Sequence, residues 1–189
     1  NELQEQIRSC RKCKKVFAKR FVDPITMSRP LRVKPILAGS VNAPVMLVGQ
    51  APGIREYNSN LAFQGPAGDE IKDIFDALGI RRSSFDDFVY QTAILKCFPG
   101  RKKVKRKHRK TGEELITEED RTPIGNEIAN CLPFLKSQID LLKPEVIVIL
   151  GTTAISGYCR LRSRLFTGGL EDYVGRAENW RGMSIIFFP

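Results

Sequence analysis

Apolar positions along the chain fall into short continuous runs and longer stretches with helical spacing. Leu3, Ile7 and Cys10 recur at helical intervals and predict a short amphipathic helix over Leu3 to Lys14. Pro24, Pro30, Pro35 and Pro44 keep the following stretch irregular. Val45 to Val48 is then a continuous apolar run ending at Gly49, the pattern of a buried parallel strand entering a loop. In Asp69 to Leu78 the residues Ile71, Ile74, Phe75 and Leu78 recur at three and four, and Gly79 follows as a C-cap. The scheme repeats, with a strand at Phe88 to Leu95, a helix over Ile124 to Leu142, a strand at Glu145 to Leu150, a helix over Thr152 to Leu165 and a last strand at Ser184 to Phe188. Alternating strands and helices predict a three-layer α/β/α fold with a central, mostly parallel four-stranded sheet. The site of such a sheet lies outside the carboxyl ends of its strands, so the loops after Val48, Leu95, Leu150 and Phe188 should converge on one cleft.

At 189 residues and 42% hydrophobic, the chain can bury one sizeable core and reads as a single domain, 1–189. No apolar run is long enough to span a bilayer, and the polar N-terminus lacks the apolar core of a signal peptide. These features predict a cytoplasmic protein without a membrane partner, and a monomer is expected. The formal charge is +10, yet Arg101 to Lys110 alone carries eight basic residues, and without them the charge falls to +2. A local cationic run beside a cleft attracts a polyanion, and inside a cell that polyanion is nucleic acid. The bland alternative is a solvated basic loop, and the acidic stretch Glu113 to Asp120 could fold back and neutralise it. The only histidine, His108, lies in this run and reads as a solvated side chain. Five cysteines are an odd number in a chain without export signals, which favours ligation over disulfides. Cys10, Cys13, Cys97 and Cys131 come from three separated segments, and four thiolates suit either zinc or a [4Fe-4S] cluster; Cys159 is left as a core thiol.

Several segments in order resemble the uracil-DNA glycosylase superfamily, and among its branches the iron-sulfur family 4. They are the opening helix with Cys10 and Cys13, Val48-Gly-Gln-Ala-Pro-Gly53, Phe63-Gln-Gly-Pro-Ala-Gly68, Lys96-Cys-Phe-Pro99, and Arg121-Thr-Pro123 with Glu127 and Cys131-Leu-Pro-Phe-Leu135. Order and spacing match except at about 101–120, which looks inserted. The resemblance implies a DNA-repair enzyme that flips a damaged base out of single-stranded DNA or damaged duplex and hydrolyses its N-glycosidic bond. It also implies a structural [4Fe-4S] cluster on Cys10, Cys13, Cys97 and Cys131, and association with the nucleoid when bound to DNA.

On this reading Phe63 stacks on the base, while Gly49 and Gly53 let the backbone approach the nucleotide and Pro52 stiffens the loop they share with Gln50 and Ala51. Lys102, Lys103, Lys105, Arg106 and Lys107 would grip phosphates. The chain departs from family 4 at two chemical positions. Gln50 stands where Glu is usual, and Ala93 where an Asn reads uracil. Gln50 can position a water but cannot act as a general base, and Ala93 offers a base edge no hydrogen bond. Ala93 also resembles family 5, whose members accept a wider set of damaged bases. Glu56 is the further candidate for placing water or touching the sugar. The superfamily's His-Pro-Ser motif should follow the last strand, and the sequence stops at Pro189 before it, so a C-terminal truncation is expected. The competing reading is a DNA-binding module that keeps the glycosylase fold and has lost its chemistry. An iron-sulfur RNA-binding protein is the third.

Overall fold

A computed structural model of the chain describes residues 2–20, 30–108 and 110–189; the break expected at Pro24, and Arg109 of the basic run, lie outside them. The N-terminal part is α1 (Glu2–Ser9) and a single turn α2 (Lys14–Phe17), with Cys10 and Cys13 in the bend between. β1 (Val45–Gly49) leads to α3 (Ile54–Ser59) and α4 (Pro66–Ala77). A short α5 (Phe85–Phe88) feeds β2 (Val89–Ala93). Next come β3 (Arg101–Lys107), β4 (Glu114–Asp120) and the long α6 (Gly125–Leu142). β5 (Val146–Leu150), α7 (Gly151–Leu161), β6 (Ala177–Trp180) and β7 (Met183–Phe188) complete the chain.

The main sheet has the order β2-β1-β5-β7-β6. Its first four strands are parallel and are the four that the apolar runs predict. Period-two alternation sends their side chains to opposite faces. On one face Met46, Val48, Ile147 and Ile149 pack with Leu135 and Ile139 of α6 and Ala154, Ile155 and Tyr158 of α7. On the other, Leu47 and Val148 pack with Ile71 and Phe75 of α4 and Phe85 of α5. Helices therefore cover both faces, giving the α/β/α layering.

A fifth strand was not legible in the apolar pattern. β6 runs antiparallel on the edge, joined to β7 by Arg181 and Gly182, which have φ of 56° and 83°. Positive φ at both central residues is the two-residue turn that fits the strand twist, and Ala-Glu-Asn-Trp is too short and polar to announce itself beforehand. The segment at 101–120 is also ordered: β3 and β4 form a separate antiparallel hairpin that pairs Arg101 with Asp120 and Lys107 with Glu114 at its two ends. The acidic strand does fold back on the basic one. Cys159 is buried in the core, as expected.

Register levels the strand ends. Gly49 lies beside Ala93, Val48 beside Ile149, and Leu150 beside Phe188. This common edge is where the fold places its cleft.

Candidate active site

A cavity of about 640 Å³ opens at that edge, floored by Gly49, Ala93, Leu150 and Phe188. The whole stretch Gly49 to Gly53 lines it, together with Glu56, Phe63 and Ala93, so every residue expected to meet a base or the reaction is brought to one place. Its volume suits a small organic ligand.

Phe63 is held in an uncommon conformation. Its φ is 49°, in the left-handed region that non-glycine residues seldom adopt. Two contacts hold it there. The Lys72 ammonium donates to the Phe63 carbonyl at 2.9 Å, and Gly68 lies so close that a Cβ would sit 2.2 Å from that same oxygen. The ring in turn lies over Gly49, where a Cβ would be 3.2 Å from Phe63 Cζ. Strained backbone of this kind concentrates at functional sites.

Glu56 ties the two motif segments together. Oε2 accepts from the Gly53 amide at 2.9 Å, and Oε1 accepts from the amides of Gln64 and Gly65 at 2.7 and 2.8 Å. Three charge-assisted bonds engage a side chain that is 9% exposed, so the carboxylate is a latch between the loop after β1 and the loop carrying Phe63. The Gln50 backbone is fixed as well, its carbonyl accepting from the Leu95 amide at 3.1 Å. Its side-chain Oε1 accepts from the Thr153 hydroxyl at 2.7 Å. Thr153 is a pocket residue that the sequence motifs do not single out; the signal was its position just past the Glu145 to Leu150 strand, whose loop should reach the cleft.

The hairpin meets this site at its base. Asp120 Oδ2 accepts from the Ile54 amide at 3.0 Å, at the start of α3, and Oδ1 lies 3.4 Å from Arg101 Nε. Farther out, Lys105 pairs with Glu114 and Arg106 with Glu119. Lys102, Lys103 and Lys107 are exposed and form no ion pair among the described residues. His108 sits at the far end of the hairpin, its Nδ1 3.0 Å from the Thr111 hydroxyl.

On the other side of β2, Cys10, Cys13, Cys97 and Cys131 line one small cavity of about 20 Å³. Cys131 Sγ accepts from the Lys96 amide at 3.3 Å, and Asn130 Nδ2 lies 4.0 Å from Cys13 Sγ. Burial, then the charges of Cys131 and Cys13, push the Cys97 thiol far up; burial also raises Cys13 and Cys131. Lys96, 1% exposed, donates its ammonium to the Ala93 carbonyl at 2.8 Å. Burial holds it down at about 8, against the opposing pull of Cys131 and Cys97, and no carboxylate pairs with it among the described residues. A buried cation calls for a neighbouring anion, and metal-bound thiolates would supply it. The donor type and this lysine suit a metal-thiolate group. Among the described residues, however, no group of three or more Cys, His, Asp or Glu is arranged to hold a metal ion.

A model of the Uracil DNA glycosylase superfamily matches residues 37–187, which take in the entire hairpin and all of the pocket floor except Phe188. The chain belongs to this superfamily. Curated relatives called type-4 uracil-DNA glycosylase point the same way within it. The protein from Pyrobaculum aerophilum is 30% identical over 163 residues, covering 86% of this chain and 66% of its own length. Its counterpart from Thermotoga maritima is 29% identical, with 82% and 62% covered. The one from Sulfurisphaera tokodaii is 29% identical over 191 residues, with 100% and 71% covered. The chain thus spans just under two thirds of the length of the first two. Cys97 and Cys131 lie inside the superfamily match, whereas Cys10 and Cys13 precede it. No helix among the described residues is long and apolar enough to cross a membrane.

Proposed function

We propose that the chain forms the greater part of a DNA glycosylase that hydrolyses the N-glycosidic bond of uracil or a related deaminated base flipped out of DNA. The observation that carries this reading is Phe63, clamped by Lys72 and Gly68 with its ring over Gly49 at the mouth of a pocket built by the superfamily's fold. A flipped base gains stacking energy on such a ring, which offsets the few kcal/mol lost in unstacking it from the helix. Cleavage builds positive charge on the sugar and negative charge on the leaving base. Gln50 carries the polar contact to base or water, and Gly49, Ala51, Pro52, Gly53 and Ala93 shape the walls around it. Glu56 acts on the reaction by holding those walls in register.

The hairpin would bind flanking phosphates through Lys102, Lys103 and Lys107 directly, and through Lys105 and Arg106 after exchange of their acidic partners. Cys10, Cys13, Cys97 and Cys131 would hold a [4Fe-4S] cluster. When bound it would serve as a structural cross-link between α1, the segment after β2, and α6, with Lys96 balancing its thiolate charge. The protein is read as a cytoplasmic monomer that meets DNA at the nucleoid.

Gln50 and Ala93 favour one competing reading, a DNA-binding module without base-releasing chemistry. Base release from a single-stranded uracil oligonucleotide, measured with the cluster-loaded protein in its longest natural form, separates the two. Release supports the glycosylase. Stable binding of that oligonucleotide without release of uracil, hypoxanthine or xanthine from matched substrates supports the binding module.

A further inference from the structure

We infer that the N-terminal segment from Arg8 to Lys19 is a second DNA-backbone surface, a strip of cations that takes the phosphates of the strand beyond the pocket and the base of the hairpin. The inference rests on the reading of DNA as the ligand and deepens it by naming where most of the backbone is gripped. The distribution of charge points there first. Arg101 to Asp120 carries eight basic residues against five acidic ones, whereas Arg8 to Arg20 carries seven basic residues and no acidic one. The nearest carboxylates in sequence are Glu5 and Asp23. Of the formal charge of +10, the larger share therefore belongs to the N-terminal segment.

Folding keeps this charge on the outside. Ile7 and Phe17 are fully buried and Cys13 nearly so, which pins α1, the bend and α2 by their apolar positions. Arg8, Arg11, Lys12, Lys14, Lys15 and Lys19 are left exposed, and none of them forms an ion pair among the described residues. Arg11 donates to the Arg8 and Cys10 carbonyls at 2.9 and 2.8 Å, and the Lys12 ammonium lies 5.0 Å from the centre of the Phe134 ring. Lys12 also acts on the cysteine site, where burial pushes the Cys131 thiol up and the charges of Lys96 and Lys12 oppose it. Like charges at this density repel one another and destabilise the folded chain, and a polyanion removes that cost.

The strip is joined to the surfaces that meet DNA. Phe17 packs in the apolar core that Ala51 and Ile54, beside the pocket, help to cover. Arg20, which follows Lys19, pairs with Glu127 at 3.1 Å and donates to the Pro99 carbonyl, and Arg121 Nη2 donates to the same oxygen at 3.1 Å. Arg20 Cδ lies 3.4 Å from the point that a Gly100 Cβ would occupy, one residue before β3 begins. A strand that runs from the pocket past the base of the hairpin meets these cations next. Lysine and arginine heads on phosphate carry no sequence information, so the strip adds affinity and register rather than base selectivity.

The test uses cluster-loaded protein and single-stranded oligonucleotides with the uracil near the 5′ end or near the 3′ end, with equilibrium binding measured over a range of salt and base release measured separately. Lys14, Lys15 and Lys19 are replaced together with Ala, and Lys12 is left in place. Loss of their phosphate contacts should flatten the slope of log K against log salt by about 2, at about 0.7 for each contact on a single strand. The wild type should bind one of the two end-placed substrates more tightly than the other, because the strip lies to one side of the pocket, and the variant should narrow that difference. An unchanged slope in the variant, or equal affinity of the wild type for both substrates, overturns the inference. A slope that falls only in step with the visible absorption of the cluster assigns these lysines to the cysteine site and overturns it as well. A flattened slope in a protein that releases no base would sink the glycosylase reading and leave the strip standing, whereas base release with an unchanged slope would remove the strip alone.

Discussion

Glu56 and Phe63 show how much of the pocket depends on single side chains. Both Glu56 oxygens are spoken for by backbone amides, two on one oxygen and one on the other. Glu56→Gln keeps the shape but turns one acceptor into a donor that must face an amide N–H. Leaving a buried donor unmet costs about 1–3 kcal/mol, so chemical denaturation should show a loss of that size. A loss well below 1 kcal/mol would mean that the carboxylate is not the latch it resembles. Phe63→Ala, in contrast, should cost little stability beyond its packing, because the ring is only partly buried and the φ of 49° already strains the backbone. Its loss should appear in base release, lowered on the order of 10- to 100-fold at unchanged salt dependence, as stacking is worth about 1–3 kcal/mol per base. Phe63, Gly49 and Gln50 were legible in the sequence because they belong to contiguous segments. Thr153 and the latch role of Glu56 were not. Their partners lie on other loops, and no local pattern encodes which amide a carboxylate will reach or which hydroxyl will meet a glutamine.

At the scale of elements, the parallel strands announced themselves because both of their faces are buried and their runs are apolar throughout. The β3–β4 hairpin had no such signal. Its strands are mostly charged, and only Val104, Leu115, Ile116 and Thr117 break the run, with Ile116 67% exposed. What orders it is pairing between strands of opposite charge, Arg101 with Glu118 and Asp120, and Arg106 with Glu119. Exposed pairs of this kind are each worth little, so a two-stranded hairpin needs a firm attachment at one end. Asp120 provides it by accepting from the Ile54 amide. This bond also makes the hairpin a brace for the loop that carries Gln50. Asp120→Ala should therefore do two things: destabilise the protein by about 1 kcal/mol, as the loss of a helix-capping carboxylate does, and raise KM for the uracil oligonucleotide more than it lowers kcat. A pure stability loss with unchanged KM would reduce the hairpin to an appendage with no hold on the pocket.

For the molecule as a whole, the position of the site followed from topology, whereas composition did not say how many cations of the basic run stay free of acidic partners. The four cysteines could be grouped from their segments, and they do line a single cavity. The eight basic residues of Arg101 to Lys110 read as a local cationic run that the acidic stretch after it could neutralise, and the return strand does set Glu114, Glu118, Glu119 and Asp120 against it. Counterion release counts only those cations free to meet phosphate, and the hairpin's grip on DNA should follow that smaller number. Replacing Lys102, Lys103 and Lys107 with Ala should flatten the slope of log K against log salt by about 2 to 3, at about 0.7–0.9 for each phosphate no longer neutralised. Replacing Lys105 and Arg106 instead should flatten it by less than about 1.5, because each must first give up a carboxylate. Equal effects per residue in the two variants would show that the ion pairs of the hairpin dissolve on DNA. No effect in either would move the DNA-binding surface off the hairpin, to the rim of the cleft itself.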